Sequence, residues 1–171
     1  QLKGAPGRMQ VIRDADRLFV VDYAHTPDAL IQVLKTLKRH VSNQLWAVFG
    51  CGGDRDRGKR PLMTQAALCG ADIALITSDN PRTEDPEQIF ADMKAGIDFS
   101  AHAVHEIHDR REAIKFAVQN AQAGDIVVIA GKGHENYQEI DGVRHWFDDV
   151  IEVQSAIGTQ HHTPDSAYPA Q

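Results

Sequence analysis

Four short segments gather the side chains that chemistry requires. Asp22-Tyr23-Ala24-His25-Thr26-Pro27 sets a carboxylate beside an imidazole, and Gly50-Cys51-Gly52-Gly53-Asp54-Arg55-Asp56-Arg57-Gly58-Lys59-Arg60 mixes glycines with cations. Asp79-Asn80-Pro81-Arg82 places a carboxylate, an amide and a guanidinium around a rigid proline, and Gly131-Lys132-Gly133-His134-Glu135 follows a strongly apolar run. Glycines permit tight turns and close ligand approach, while Arg and Lys meet carboxylate or phosphate oxygens. The Asp79 to Arg82 group suits an amino-acid zwitterion, since Arg grips a carboxylate while Asp and Asn meet an ammonium. Plainer readings stand beside these. The 50–60 segment also reads as a solvated loop whose Arg and Asp pair internally, and Asp79 with Asn80 reads as an Asx turn before a helix. Gly131 and Gly133 also suit a simple turn at a strand end.

Other chemistries are excluded by spacing. The 50–60 segment lacks the GxxxxGK[ST] form of a P-loop and the GxGxxG form of a dinucleotide site. His25 has no neighbours at zinc-ligand spacing, and Cys51 and Cys69 form neither a CxxC pair nor a disulfide framework. No Ser-His-Asp or Cys-His arrangement is convincing, so no catalytic nucleophile and no metal ligand is assigned.

Elements that alternate in type position these segments. Leu18 to Asp22, Leu45 to Phe49, Ile73 to Thr77, Ala103 to Ile107 and Ile126 to Ala130 read as short strands. Helical periodicity occupies Pro27 to about Arg39, Arg60 to Cys69, Pro86 to Met93 and Arg110 to Gln122, with Thr26 as a cap and Pro27 at the first helical position. Tyr137 to Ile140 and Val143 to Trp146 flank Asp141-Gly142 as a hairpin, and a last short helix runs to Ala156 or Ile157. Trp46 and Trp146 are read as packing residues, and Cys69 as lying on a buried helix. Alternation of strands and helices predicts an α/β, Rossmann-like three-layer domain, with a mostly parallel sheet and a C-terminal hairpin. In such sheets ligands bind beyond the carboxyl ends of the strands, where all four chemical segments fall.

A chain of 171 residues, 42% hydrophobic, is one domain with enough material for a core. The 18 Lys and Arg against 24 Asp and Glu give −6, so no bulk attraction to nucleic acid or anionic membrane is expected. No apolar run approaches the roughly 18 residues of a membrane span, and the N-terminus lacks a signal-peptide pattern. Starting at Gln1 fits a fragment or a processed chain. The cysteine usage fits a reducing compartment, and a cytoplasmic location is the expectation.

In this order, Asp22 to Ala29, the Gly50 to Arg60 loop, Asp79-Asn80-Pro81-Arg82 and Gly131-Lys132-Gly133-His134-Glu135 resemble the Mur ligases of peptidoglycan synthesis. The likeness is greatest to the branch that adds meso-diaminopimelate, and it runs from Pro6-Gly7-Arg8-Met9 to about Ala156. It implies an interdomain connector at 1–10, an amino-acid-binding C-terminal domain at 11–158, and a flexible tail at 159–171. It also implies ATP-dependent amide formation through an acyl phosphate. The implied substrates are meso-diaminopimelate and UDP-N-acetylmuramoyl-L-alanyl-D-glutamate, with ATP and Mg2+ held mainly by a central domain outside this sequence. By motif, Arg55, Asp79, Asn80, Pro81, Arg82, Gly131 and Glu135 fall to meso-diaminopimelate, and His25 falls near the nucleotide. Arg82 would bind the distal carboxylate and so reject lysine. Without a P-loop or a UDP-binding domain, these residues alone are not expected to catalyse the full reaction. A lysine-adding relative, a folate-extending relative and a stand-alone amino-acid or nucleotide-binding module remain the alternatives.

Overall fold

The alternation of side chains along each strand determines the layering. In the computed structural model, which describes residues 9–161, β1 (Gln10–Asp14), β2 (Arg17–Asp22), β3 (Leu45–Phe49), β4 (Ile73–Ile76), β5 (Ala103–Glu106) and β6 (Ile126–Ala130) form one sheet of order β1-β2-β6-β3-β4-β5. All neighbours are parallel except β1 and β2. Val20, Phe49 and Val128 point into a core with Leu30, Leu34 and Leu37 of α1 (Pro27–Lys38), Met63 of α2 (Arg60–Gly70) and Phe90 of α3 (Pro86–Lys94). Phe19, Trp46, Val48 and Val127 point to the opposite face. There they meet Ile114 and Val118 of α4 (Arg110–Asn120) and Val153 of α5 (Asp149–His161). Strands buried on both faces require the near-continuous apolar runs seen in β3 and β6. Because β6 sits between β2 and β3, the chain reverses its winding there. A crevice opens beyond the carboxyl ends of β2, β3, β4 and β6.

Local signals set the helix starts. Thr26 Oγ1 accepts the Ala29 N–H with Pro27 in the first turn, and Asp85 and Asp109 cap α3 and α4 in the same manner. At the amino ends of the strands, the Asp125 carboxylate accepts from Asn43 Nδ2, Gln44 N, Trp46 Nε1 and Gln122 N. It thereby ties β3 to β6 away from the crevice.

The structure departs from the sequence pattern at four points. β1 pairs with β2 through a turn that has Ala15 at φ +51, with no glycine or asparagine to announce a hairpin. α5 runs to His161. Its last turn is tied down by Arg17 Nη2 donating to Gln160 Oε1 at 2.8 Å and by His161 Nε2 lying 2.8 Å from Asp14 Oδ1. Residues 159–161, placed by the pattern in a tail, therefore belong to a helix, while 1–8 and 162–171 lie outside the described residues. Trp146 is not a packing residue. It is 64% exposed, because β8 (Val143–Trp146) is backed only by β7 (Tyr137–Ile140) in a separate two-stranded hairpin. Cys69 is exposed as well, since it lies off the Arg60, Met63, Thr64, Ala67 stripe that α2 buries. Among the described residues, no helix is long and apolar enough to cross a membrane.

Candidate functional site

The cleft beyond the strand ends has a volume of about 290 Å³. His25, Arg55, Asp79, Asn80, Arg82, Gly131 and Glu135 all line it, together with Cys51, Lys59 and Arg60. Seven of the eight singled-out positions are thus brought together. The eighth, Pro81, is buried and does not line the cleft; its carbonyl accepts the Glu84 N–H at 3.1 Å.

Close backbone approach explains the glycine run after β3. Gly53 N donates to Asn80 O at 2.7 Å, and a Cβ on Gly53 would lie 1.8 Å from the Pro81 carbonyl oxygen. No side chain fits there, so the loop from β3 packs directly against the Asp79 to Arg82 loop from β4. Gly131, with φ +118, makes the corresponding close turn after β6, and its N–H donates to Asp22 O at the end of β2.

The cations of the 50–60 loop divide into two kinds. Arg60 is buried, and its guanidinium donates to Glu84 and Asp92 and to the Gly52 carbonyl. Arg57 donates to Asp92. These two hold the loop in shape, as the internal-pairing reading anticipates. Among the described residues, Arg55 has only the neighbouring Asp54 carbonyl as a hydrogen-bond acceptor, and it lines the cleft together with Lys59. Asp54, at φ +54, accepts from the Thr83 N–H and hydroxyl, joining the same two loops again.

This clamp is acid-sensitive. The Arg57 hydrogen bond, with further help from Gln88 and Arg60, holds the Asp92 carboxyl down at about 2, and Arg60 lowers Glu84. A depressed folded-state value stabilises the loop fully above the ordinary carboxylate range and progressively less as pH falls through the folded value. Loosening is therefore expected as pH drops from 3.8 toward about 2. Protection factors of the amides across residues 50–60, referred to the intrinsic exchange rate at each pH, should fall in that window while β3 and β6 stay protected, and Asp92→Asn should shift the loosening to neutral pH. Exchange in this loop that is indifferent to both would contradict the assignment.

The 79–82 loop is held from its far side by the hairpin, which composition alone gave no reason to place there. Gln138 Nε2 donates to Asp79 O at 2.8 Å, Glu139 N donates to Asn80 Oδ1 at 3.0 Å, and Arg82 N donates to Glu139 O at 2.9 Å. Arg82 itself takes φ +55, with Nη1 donating to Gly53 O at 3.0 Å. That left-handed backbone is uncommon for a residue with a side chain, and the bridge to Ile140 maintains it.

Two buried cations serve the fold in a way the sequence does not indicate: Lys132, which its motif offers to an anionic ligand, and Arg110. Lys132 is wholly buried, with Nζ 2.7 Å from Asn80 Oδ1, 2.9 Å from Tyr137 O and 3.3 Å from Asp79 Oδ1. Burial lowers its proton affinity, and the Asp79 carboxylate opposes that effect. Arg110 donates from Nε and Nη2 to both oxygens of buried Asp149. It also donates to Ser78 O and Ala130 O, fastening the carboxyl ends of β4 and β6. Neither carries a local signal, because each finds its partners at least dozens of residues away in sequence or across a loop. Burial first and the nearby Asp79 second push the Cys51 thiol up to about 12, which disfavours its thiolate.

The arrangement offers donors at Arg82, Arg55 and Lys59 and acceptors at Asp79 and Glu135 within one cleft. That pairing suits a small zwitterion with an additional acidic group. Among the described residues, no three His, Cys, Asp or Glu side chains converge as a metal site, and no phosphate-cradling loop of P-loop form occurs. The residues present do not fit Mg2+ with ATP as resident groups of this domain.

Over residues 7–133 the sequence matches the family described as "Mur ligase, glutamate ligase domain". The UDP-N-acetylmuramoyl-L-alanyl-D-glutamate–2,6-diaminopimelate ligase of Ectopseudomonas mendocina (strain ymp) is 54% identical over 158 residues, covering 92% of this chain and 32% of that protein. The ligase of the same name from Geobacillus thermodenitrificans (strain NG80-2) is 50% identical over 153 residues, covering 89% and 31%. A solved structure with that name superposes with a TM-score of 0.91 at 86% identity, covering 95% of this chain and 33% of that one. A bifunctional folylpolyglutamate synthase/dihydrofolate synthase from Yersinia pestis CO92, at 21% identity and a TM-score of 0.57 over 92% of this chain and 32% of that one, shares the fold. The chain spans about a third of the length of the curated relatives it matches.

Proposed function

Since the chain belongs to the Mur ligase family, we propose that it is the C-terminal, amino-acid-holding domain of an ATP-dependent ligase. That ligase joins meso-diaminopimelate to UDP-N-acetylmuramoyl-L-alanyl-D-glutamate in the cytoplasm. One observation carries the reading: Arg55, Asp79, Asn80, Arg82, Gly131 and Glu135, from three separate loops, face a single cleft in which cationic donors stand beside carboxylates. Relatives 50% to 54% identical are ligases named for 2,6-diaminopimelate, which supports the reading.

In this reading, Asp79 and Glu135 receive the ammonium of the amino acid, and Arg82 with Arg55 receives carboxylate. The guanidinium–carboxylate fork orients the ligand and leaves its reacting amine at the mouth of the cleft. There the activated glutamyl carboxyl of the other substrate arrives. ATP, with Mg2+ and held by residues outside this domain, would phosphorylate the glutamyl carboxylate and leave as ADP, and attack by the amine would then release phosphate. Closure over the cleft excludes water, so the amine rather than water meets the acyl group. His25, whose Nδ1 lies 3.0 Å from Tyr23 O at the exposed rim, would face the nucleotide side.

The test is competition in the complete ligase that carries this domain. ATP-dependent amide formation should require meso-diaminopimelate and should proceed poorly with lysine, and the 171-residue chain alone should give no turnover. Preference for lysine, or robust ligation by this chain alone, would overturn the proposal.

A further inference from the structure

The structure assigns Lys132 as a positioning residue for the amino-acid cleft, acting through the side-chain amide of Asn80. The inference rests on the reading of the cleft given above and adds a residue to it that touches no ligand. Asn80 is 2% exposed, and its Oδ1 accepts from both Lys132 Nζ at 2.7 Å and Glu139 N at 3.0 Å. An amide oxygen has two lone pairs, so both acceptor positions are used. The orientation of the amide is then decided: its oxygen faces the hairpin, and its NH2 end is what remains for the cleft. Asn80 therefore presents a donor, which suits a ligand carboxylate or carbonyl oxygen. This refines the expectation from sequence that Asn80 meets an ammonium.

Lys132 does this at a site where nothing else would. Its side chain is fully enclosed, and Nζ has Asn80 Oδ1, Tyr137 O and Asp79 Oδ1 within 3.3 Å. One ammonium thus joins the loop after β4, the exit of β6 and the start of the hairpin. It also opposes the negative charge of Asp79, whose buried Oδ1 has no hydrogen-bond partner among the described residues and lies 3.3 Å from Nζ. Without Lys132, Asn80 Oδ1 keeps only the Glu139 N–H, the amide gains freedom to turn its oxygen toward the cleft, and Asp79 loses its nearest cation. A carboxylate ligand then meets an acceptor where it needs a donor.

The test is a double-mutant cycle in the complete ligase, with KM measured separately for meso-diaminopimelate, ATP and the UDP-linked substrate. Lys132→Met and Asn80→Ala are each expected to raise KM for meso-diaminopimelate by about tenfold or more, leaving the other two within about threefold. The double variant should lie within about threefold of the larger single effect, since both changes remove one device. Lys132→Gln, which keeps an NH2 donor on a shorter stem, should recover part of the loss and stands in if Lys132→Met does not fold. Fold-changes that multiply, an unmoved KM, or equal loss for all three substrates would overturn the assignment. Wild-type enzyme indifferent to meso-diaminopimelate would instead overturn the reading of the cleft, and this inference with it.

Discussion

Arg82→Gly is expected to lower kcat/KM for meso-diaminopimelate by about a hundredfold or more, and to collapse its advantage over lysine. On the proposed reading, removing the guanidinium would leave the ligand's distal carboxylate without its partner in a cleft where water is a poor substitute. Glycine is the informative replacement because Arg82 occupies φ +55, a conformation that glycine takes freely. Arg82→Ala should fall further, since it combines the lost side chain with backbone strain of about 1 kcal/mol. Comparing the two separates recognition from positioning. Arg82→Lys should recover little, because a point charge cannot form the planar fork. Competition between the two amino acids, measured on the complete ligase, decides the matter. A glycine variant that retains wild-type discrimination would place the specificity elsewhere.

Arg110→Met is expected to destabilise the fold by about 3–5 kcal/mol, because it strands a buried carboxylate whose salt-bridge partner among the described residues is Arg110. Asp149 is fully buried, and both of its oxygens accept from Arg110. The same guanidinium satisfies Ser78 O and Ala130 O, so two backbone carbonyls near the carboxyl ends of β4 and β6 lose a donor. Arg110→Met combined with Asp149→Leu should regain a good part of the loss, because no uncompensated carboxylate remains, but not all of it while those carbonyls stay unpaired. Urea unfolding followed through buried Trp46 would read this, with exposed Trp146 contributing a nearly constant signal. A loss below about 1 kcal/mol in the single variant would mean that Asp149 finds water or another cation.

Much of the architecture was legible because local physics dictates it. β3, β6 and the hairpin strands occupy the residues that the apolar and period-2 patterns indicate, and α1 starts where Thr26 and Pro27 predict. β1 was illegible, because its turn at Ala15 borrows a left-handed conformation that glycine or asparagine usually signals. The exposure of Trp146 was illegible for a related reason: residue type records how much a side chain gains by burial, not whether a neighbour is present.

The candidate site divides in the same way. Strand-end location marked the four segments, the family resemblance singled out His25, Arg55, Asp79, Asn80, Arg82, Gly131 and Glu135 within them, and the cleft gathers these. The sequence could not sort the cations of the 50–60 loop. Arg57 and Arg60 are spent on Asp92 and Glu84, whereas Arg55 and Lys59 face the cleft, and this depends on acids contributed by residues 24 to 35 positions away.

The sequence by itself determined most strands and helices, β1 and the last turn of α5 excepted, that the sheet is mostly parallel, and which strand ends bear polar chemistry. Hydrophobic period, capping residues and turn residues act over a few positions, so a linear chain carries them in full. Tertiary structure alone decided that the hairpin braces the Asp79 to Arg82 loop, that Lys132 and Arg110 are internal clamps, and that Asn80 turns its donor end to the cleft. Those outcomes follow from burial. A charged or polar group removed from water must find partners in space, and the partners available are set by the packing of elements distant in the chain.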